Sequence, residues 1–214
     1  MRGRFVTVEG VEGVGKSTNV AFVATTIEAA GHTVRVTREP GGTPLAEAVR
    51  QLLLAPGSRI GPLAELLLVF AARADHLREV IEPALAAGEW VVCDRFTDAT
   101  RAYQGCGRGV DRQWIEAIAG AVQRGVEPDL TLWLDLPVEH GLQRARARRE
   151  AAGEAVADRF EAETLEFFTR VRAGYAGLHA AFPQRVVRID AALDAQAVAA
   201  QVVTAVDSRL GAWR

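Results

Sequence analysis

The chain has 214 residues, 49% of them apolar, with 25 Lys plus Arg against 27 Asp plus Glu and a net charge of −2. This length suits one domain with an ample core, and the near-neutral charge argues against a nucleic-acid or membrane partner held by bulk charge. The longest apolar stretches, such as 66–72, are too short to span a bilayer.

The first strand is Phe5-Val6-Thr7-Val8, a short β-branched and aromatic run. An N-terminus that enters a strand so early leaves no room for a signal peptide. Cys93 and Cys106 have neither disulfide nor metal spacing, so a cytoplasmic protein is expected. Gly10-Val11-Glu12-Gly13-Val14-Gly15-Lys16-Ser17 follows the strand and fits G-x-x-x-x-G-K-[ST], the phosphate loop of nucleoside triphosphate enzymes. Lys16 is the one lysine in the chain; the other 24 basic positions are arginine. A compact ammonium enters between phosphate oxygens where a planar guanidinium is bulkier. The glycines let the backbone turn its N–H groups onto an anion. The helix that follows, marked by Val20, Val23, Ala24 and Ile27 and ended by Gly31, adds its positive end. Gly10, Val11, Glu12, Gly13, Val14, Gly15, Lys16, Ser17 and Thr18 are therefore the candidate ATP-binding residues. Lys16 would reach the β and γ phosphates, and the Ser17 hydroxyl would ligate Mg²⁺.

Beyond the loop, strand and helix patterns alternate. Strands are expected at 33–37, 90–93, 130–134 and 185–189. Helices are expected at 45–54, 62–87, 112–123, 138–149 and 158–181, with a last one around Val198, Val202, Ala205 and Val206. The alternation implies an α/β fold: a five-stranded parallel sheet with helices on both faces, in a single domain over 1–214. Ligands of such sheets bind at the carboxyl ends of the strands.

Those ends carry charged residues. After the second strand comes Arg38-Glu39-Pro40-Gly41-Gly42-Thr43, a tight loop at the carboxyl edge. After the third comes Asp94-Arg95-Phe96. Asp94 suits a magnesium ligand, direct or through water. Arg95 could bridge two phosphates as charge spreads in a transition state. Asp135 and Asp190 also end apolar strands, but each precedes a helix and reads as a cap. Phe70 and Arg73, at i and i+3, share a helix face and could stack and hydrogen-bond a base; a core Phe beside a surface Arg is the alternative. Arg144, Arg146, Arg148, Arg149 and Arg159 fall in an Ala/Arg/Glu-rich stretch. They are a solvated face or an arginine-bearing flap, a short mobile lid over about 144–159, closing on the triphosphate.

Val8-Glu9-Gly10 through Thr18, Thr37-Arg38-Glu39-Pro40-Gly41-Gly42-Thr43, Phe70-Ala71-Ala72-Arg73, Asp94-Arg95-Phe96 and Ala102-Tyr103-Gln104-Gly105, in this order, resemble the thymidylate kinase family nearly end to end. The resemblance implies phosphorylation of dTMP with MgATP by a homodimer on a P-loop nucleoside monophosphate kinase fold. It implies that Phe70 stacks on thymine, Arg73 donates to a ring carbonyl, and Thr100 and Gln104 approach the base edge. Tyr103 would pack against the deoxyribose, Arg50 and Arg95 would hold the dTMP phosphate beside Arg38, Glu39 and Pro40, and Glu12 would meet the 3′-hydroxyl. One branch of the family has a catalytic basic residue in the loop where this chain has Gly13. The chain looks like the other branch, in which lid arginines do that work, so Arg144, Arg146, Arg148 and Arg149 join Lys16, Arg95 and Glu12 as candidate catalytic residues. Rival readings are another nucleoside or nucleotide kinase on the same scaffold, or an ATP-binding switch.

Overall fold

A computed structural model describes residues 2–153 and 156–212. Residues 154 and 155, inside the expected lid, lie outside the described residues. Five strands, β1 Phe5–Glu9, β2 Val34–Arg38, β3 Trp90–Asp94, β4 Leu130–Asp135 and β5 Val186–Asp190, form one sheet in the order β2-β3-β1-β4-β5. Every pairing is parallel. Between them run α1 Lys16–Ala29, α2 Pro44–Leu54, α3 Pro62–His76, α4 Glu82–Ala86, α5 Thr97–Thr100, α6 Arg112–Gln123, α7 Val138–Ala151, α8 Leu165–Ala181 and α9 Ala195–Ala212.

Side chains alternate across a strand, and the alternation sorts the core onto both faces of the sheet. Val6, Val8 and Val92 pack with Val20, Val23 and Ile27 of α1 and Val202 and Val206 of α9. Phe5, Val91 and Cys93 pack on the other side with Leu77, Ile81 and Leu85. The central strands β1 and β4 are buried throughout and mostly apolar because both faces are covered. β2 lies at the edge, and its alternating Val-Arg-Val-Thr-Arg leaves Val36 exposed.

Two expected helices differ in the structure. The helix expected over 62–87 is interrupted: α3 passes into a π-helical turn, Leu77–Ile81, before α4. Pro83 cannot donate to the next turn of the ladder, and the ladder widens just ahead of it. The helix expected over 158–181 starts at Leu165, where the Thr164 hydroxyl accepts from Phe167 N at 3.2 Å. Upstream, one Asp158 carboxylate oxygen accepts from the backbone of both Phe160 and Glu161, so the side chain competes with a helical start. α5 and the π turn Arg101–Gly107 that extends it had no counterpart among the expected elements.

The expected caps also differ. Pro137, not Asp135, stands at the N-cap of α7. Asp135 is 3% exposed and accepts from Arg172 Nε and Arg188 Nε, both at 2.7 Å. Asp190 accepts from Ala192 N in the turn after β5, while Asp194 caps α9 through Ala197 N. The charge partners lie on α8 and β5, beyond the reach of a local rule.

Asp98 of α5 ties the layers together. It accepts both Arg185 nitrogens, at 2.6 and 3.0 Å, plus Arg101 at 3.1 Å and the Thr131 hydroxyl at 3.0 Å. Thr131 in turn meets Thr7 at 2.8 Å. Burial alone would raise this carboxyl, but the hydrogen bond and charge of Arg185, with Arg101, hold it below the usual range. Removing one member of a buried ion cluster leaves the others uncompensated, at a cost of about 3–5 kcal/mol. Asp98→Ala is therefore expected to lose stability on that scale in urea unfolding. A loss under about 1 kcal/mol would show that the cluster contributes little.

Candidate active site

The carboxyl ends of β1, β2 and β3 open onto one cleft of about 240 Å³. The phosphate loop forms one wall. Gly10, Gly13 and Gly15 have φ of 141°, 73° and 85°, values that L side chains rarely adopt. A Cβ on Gly13 would lie 1.9 Å from Gly141 O, so α7 packs directly on the loop. This approach leaves no room for a basic side chain at position 13. Val11 and Val14 are buried anchors, so only their backbone can face a phosphate. Gly15 caps α1 without a side-chain hydrogen bond, and the first turn has no acidic residue. The free N–H groups of that turn suit an anion.

Lys16 Nζ donates to Val11 O at 2.9 Å and Gly10 O at 3.3 Å. Burial, with Arg95 nearby, pulls its pKa down to about 8. Ser17 and Asp94 both line the cleft, whereas Thr18 does not. Asp94 Oδ1 is buried with no hydrogen-bond partner. An orphaned carboxylate oxygen and a nearby exposed hydroxyl fit Mg²⁺, which takes one or two protein ligands plus phosphates and waters.

Arg95 sits at φ 72°, an unusual conformation for a non-glycine residue. Its backbone N–H donates to Val8 O at 3.1 Å, and Phe96 N donates to Glu9 Oε1 at 2.7 Å. The turn throws the side chain across the cleft. There, Arg95 Nη2 donates to Glu12 Oε1 at 3.0 Å, and the guanidinium lies 4.6 Å from the centre of the Tyr103 ring. Tyr103 donates its hydroxyl to the other Glu12 oxygen at 2.8 Å. Glu12, Arg95 and Tyr103, expected separately, are thus one cluster.

On the β2 side, Arg38 and Arg50 line the cleft. Arg50 donates to Pro40 O at 3.0 Å and Arg38 to Glu47 at 3.0 Å. Deeper in, Glu39 accepts from Arg73 Nε at 2.7 Å and contacts His76 at 3.0 Å. Arg73 Nη2 donates to the Thr100 hydroxyl at 3.0 Å, while Nη1 is buried without a partner. The same guanidinium lies over the rings of Phe70 and Phe96, at 4.9 and 4.8 Å.

Phe70 shares a face with Arg73, as expected, and packs against Leu66, Ile115 and Ala119; Val69 and Phe96 line the cleft beside it. Val69 is four residues before Arg73 and Phe70 three, and both spacings lie on one helix face. Spacing alone could not show that Val69 lines the cleft.

The four lid arginines also separate. They lie on α7, and a helix turns 100° per residue. Arg148 lines the cleft and pairs with Glu161 at 3.4 Å. Arg149 pairs with the same Glu161 at 3.1 Å, Arg146 faces Glu150 in solvent, and Arg144 donates to Ala191 O. Arg159 is buried, donating to Leu53 O and pairing with Glu65. Sequence reasoning missed Asp158, Phe160 and Glu161, which line the cleft between α7 and α8, and Glu65, buried near them. The acidic position just ahead of the Leu66-Leu67-Leu68 run was the available signal for Glu65.

A thymidylate kinase family model matches residues 8–202. The chain belongs to the thymidylate kinase family. It is 54% identical over 192 residues to a thymidylate kinase of Teredinibacter turnerae, covering 89% of this chain and 91% of that one. It is 53% identical to one of Chromohalobacter salexigens, covering 99% and 98%. The crystal structure of thymidylate kinase from Ehrlichia chaffeensis superposes with a TM-score of 0.75 at 32% identity, covering 95% of this chain and 98% of that one. As a member of the thymidylate kinase family, the protein is an ATP:dTMP phosphotransferase that converts dTMP to dTDP.

Glu9 supports this site from below. It is fully buried, accepts from Phe96 N and from the Tyr175 hydroxyl at 2.7 Å each, and so braces the Arg95 turn. Burial, reinforced by Asp98, pushes its carboxyl up to about 8 from an ordinary 4.5. Between those values the folded state holds a proton that the unfolded state has lost. Stability therefore falls as pH rises through this window, by at most about 1.4 kcal/mol per pH unit. Glu9→Gln, neutral at every pH, is expected to gain on the parent protein from pH 5 to 8 and to level off above that. Urea midpoints across pH 5–9 check this; a difference independent of pH would refute it.

Proposed function

We propose that MgATP lies on the phosphate loop and dTMP in the remainder of the cleft, and that the γ-phosphoryl passes in line to the dTMP phosphate. One observation carries the reading. A single cleft holds a phosphate loop with its lysine and, deeper in, a buried guanidinium with a free N–H, Arg73. The first recognises a triphosphate and the second a carbonyl on a base.

The acceptor oxygen of a monophosphate is already anionic, so no general base is required. Positioning and charge neutralisation do the work. Lys16 and the first turn of α1 hold the donor phosphates, and Ser17 and Asp94 would hold Mg²⁺, which neutralises charge on the phosphates when bound. Arg95 bridges donor and acceptor, with Arg38, Arg50 and the Glu39-Pro40 turn around the acceptor phosphate. Glu12 meets the 3′-hydroxyl. Tyr103 fills the space a 2′-hydroxyl would need. Arg73, Thr100 and Gln104 address the base edge, with Phe70 under Arg73 and Val69 and Phe96 as further apolar walls. Arg148, the one of the four that lines the cleft, is the lid arginine that reaches the phosphates, exchanging its pairing with Glu161 for them.

We read the protein as a cytoplasmic homodimer. Leu63 and Leu67 on α3 and Trp114 on α6 are 52%, 51% and 61% exposed, an apolar face suited to a second copy. No helix among the described residues is long and apolar enough to cross a membrane.

ADP release with MgATP and a panel of dTMP, dUMP, dCMP, dGMP, UMP and thymidine tests the function. Strong preference for dTMP is expected. Preference for another acceptor would discard the base-pocket roles, and ATP binding without turnover would favour a switch. Losing one well-placed donor costs on the order of 10²–10³ in rate. Arg95→Ala is expected to lower kcat by about that factor with ATP affinity little changed, and near-normal turnover would remove its role. Arg148→Ala is expected to lower kcat while Arg146→Ala leaves it within about twofold. Equal effects would show that the cluster acts only as a charged surface.

A further inference from the structure

Glu65 is a fully buried carboxylate on the first turn of α3, and nothing in the phosphoryl-transfer chemistry uses it. One of its oxygens accepts from Gln104 Nε2 at 2.7 Å. Arg108 Nε lies 3.2 Å from both oxygens, and Arg159 pairs with the second at 2.6 Å. Those two arginines are themselves fixed: Arg108 by Glu163, Arg159 by Leu53 O at the end of α2. The carboxylate cannot swing without breaking its contacts to Gln104, Arg108 and Arg159, and Arg159 is in turn tied to α2.

We propose that Glu65 is a positioning residue that sets the hydrogen-bond polarity of Gln104 and thereby makes the pocket select pyrimidines bearing an N3–H imide. An amide can present either an acceptor or a donor, and a flip interchanges them. An ionised carboxylate only accepts, so Gln104 must turn its nitrogen toward Glu65. Gln104 is 3% exposed and lines the cleft. With Nε2 committed, the pole left for the cleft is the carbonyl Oε1. Thymine and uracil have one ring donor, N3–H, beside the O4 acceptor. Cytosine reverses both, with an acceptor at N3 and a donor at N4. Arg73 can only donate, and its Nη1 is free. A donor from Arg73 and an acceptor from Gln104 match the imide and leave cytosine with two unmatched groups.

The proposal rests on dTMP as acceptor, and its test separates the two. We would measure kcat/KM for dTMP and dCMP with the native enzyme, Glu65→Gln and Glu65→Asp, alongside thermal midpoints. The native enzyme is expected to prefer dTMP strongly. Leaving a buried polar group unmatched typically costs one to two orders of magnitude. Glu65→Gln can face Gln104 with either pole, so the dTMP-over-dCMP ratio is expected to fall by about tenfold or more. Glu65→Asp keeps an acceptor-only group and is expected to hold the ratio within about threefold, even if both rates drop. A folded Glu65→Gln enzyme with the native ratio, or with both rates reduced in parallel, would overturn the proposal and leave Glu65 a structural clasp. If Glu65→Gln does not fold, loss of the ratio in folded Glu65→Asp overturns it equally. A native enzyme without preference for dTMP would overturn the functional reading, and this one with it.

Discussion

A guanidinium can reach two or three partners at once, and the working edge of this fold is held by arginine forks closing on buried or half-buried carboxylates. Glu12 is held by Arg95, Glu39 by Arg73, and Glu65 by Arg108 and Arg159. Below and beside them, Asp98 is held by Arg185 and Arg101, and Asp135 by Arg172 and Arg188. Such pairs add little net stability over an apolar core of equal volume, because desolvation offsets most of the attraction. Their effect is geometric. A carboxylate with every lone pair committed fixes the groups around it, and a misplaced partner would leave a charge uncompensated.

The one ammonium has a different task. Lys16 donates its hydrogen bonds to carbonyls of its own loop; Asp94, Glu12 and Glu9 act on it through charge, without a direct ion pair. Burial lowers its proton affinity, and an arriving phosphate would restore it. The backbone around it is equally constrained. Gly13 against Gly141 seats α7 on the loop, and the left-handed Arg95 turn carries its guanidinium back over Glu12. These two contacts connect the ends of β1, β3 and β4. A change in strand register would therefore displace the donor and acceptor halves of the cleft together.

Much of this was legible in the residues, and the failures have identifiable causes. Strand ends were readable because buried parallel strands are continuous apolar runs that stop at a charge, as at Cys93-Asp94 and Leu134-Asp135. The phosphate loop was readable because its glycines answer a backbone demand. What a given charge pairs with was not readable. Asp94 and Asp135 look alike in sequence, yet one keeps an unpartnered oxygen in the cleft and the other is consumed by two arginines. Helix phase held at Phe70, whose ring lies under the Arg73 guanidinium, but spacing did not show that Val69, on the same face, lines the cleft. Phase failed along residues 101–107, where a π turn abandons the 3.6-residue period that any pattern search assumes. The lid arginines were grouped by composition, whereas the helix distributes them among different partners.

The forks also explain how a cleft lined by nearly as many carboxylates as cations can bind two polyanions. Glu12, Glu39, Asp94, Asp158 and Glu161 face it alongside Lys16, Arg38, Arg50, Arg73, Arg95 and Arg148. A guanidinium has five N–H donors, and a carboxylate partner occupies only some of them. After pairing, Arg73 and Arg95 each keep a buried Nη1 with no partner. The carboxylates thus do not compete for the whole cation; they orient it and leave selected donors toward the ligand. A lysine, with its charge on one compact, freely rotating head, could not be held on one side and remain directional on the other. Arginine at these positions is therefore tied to the pairing scheme itself, whatever compositional bias favours it elsewhere in the chain.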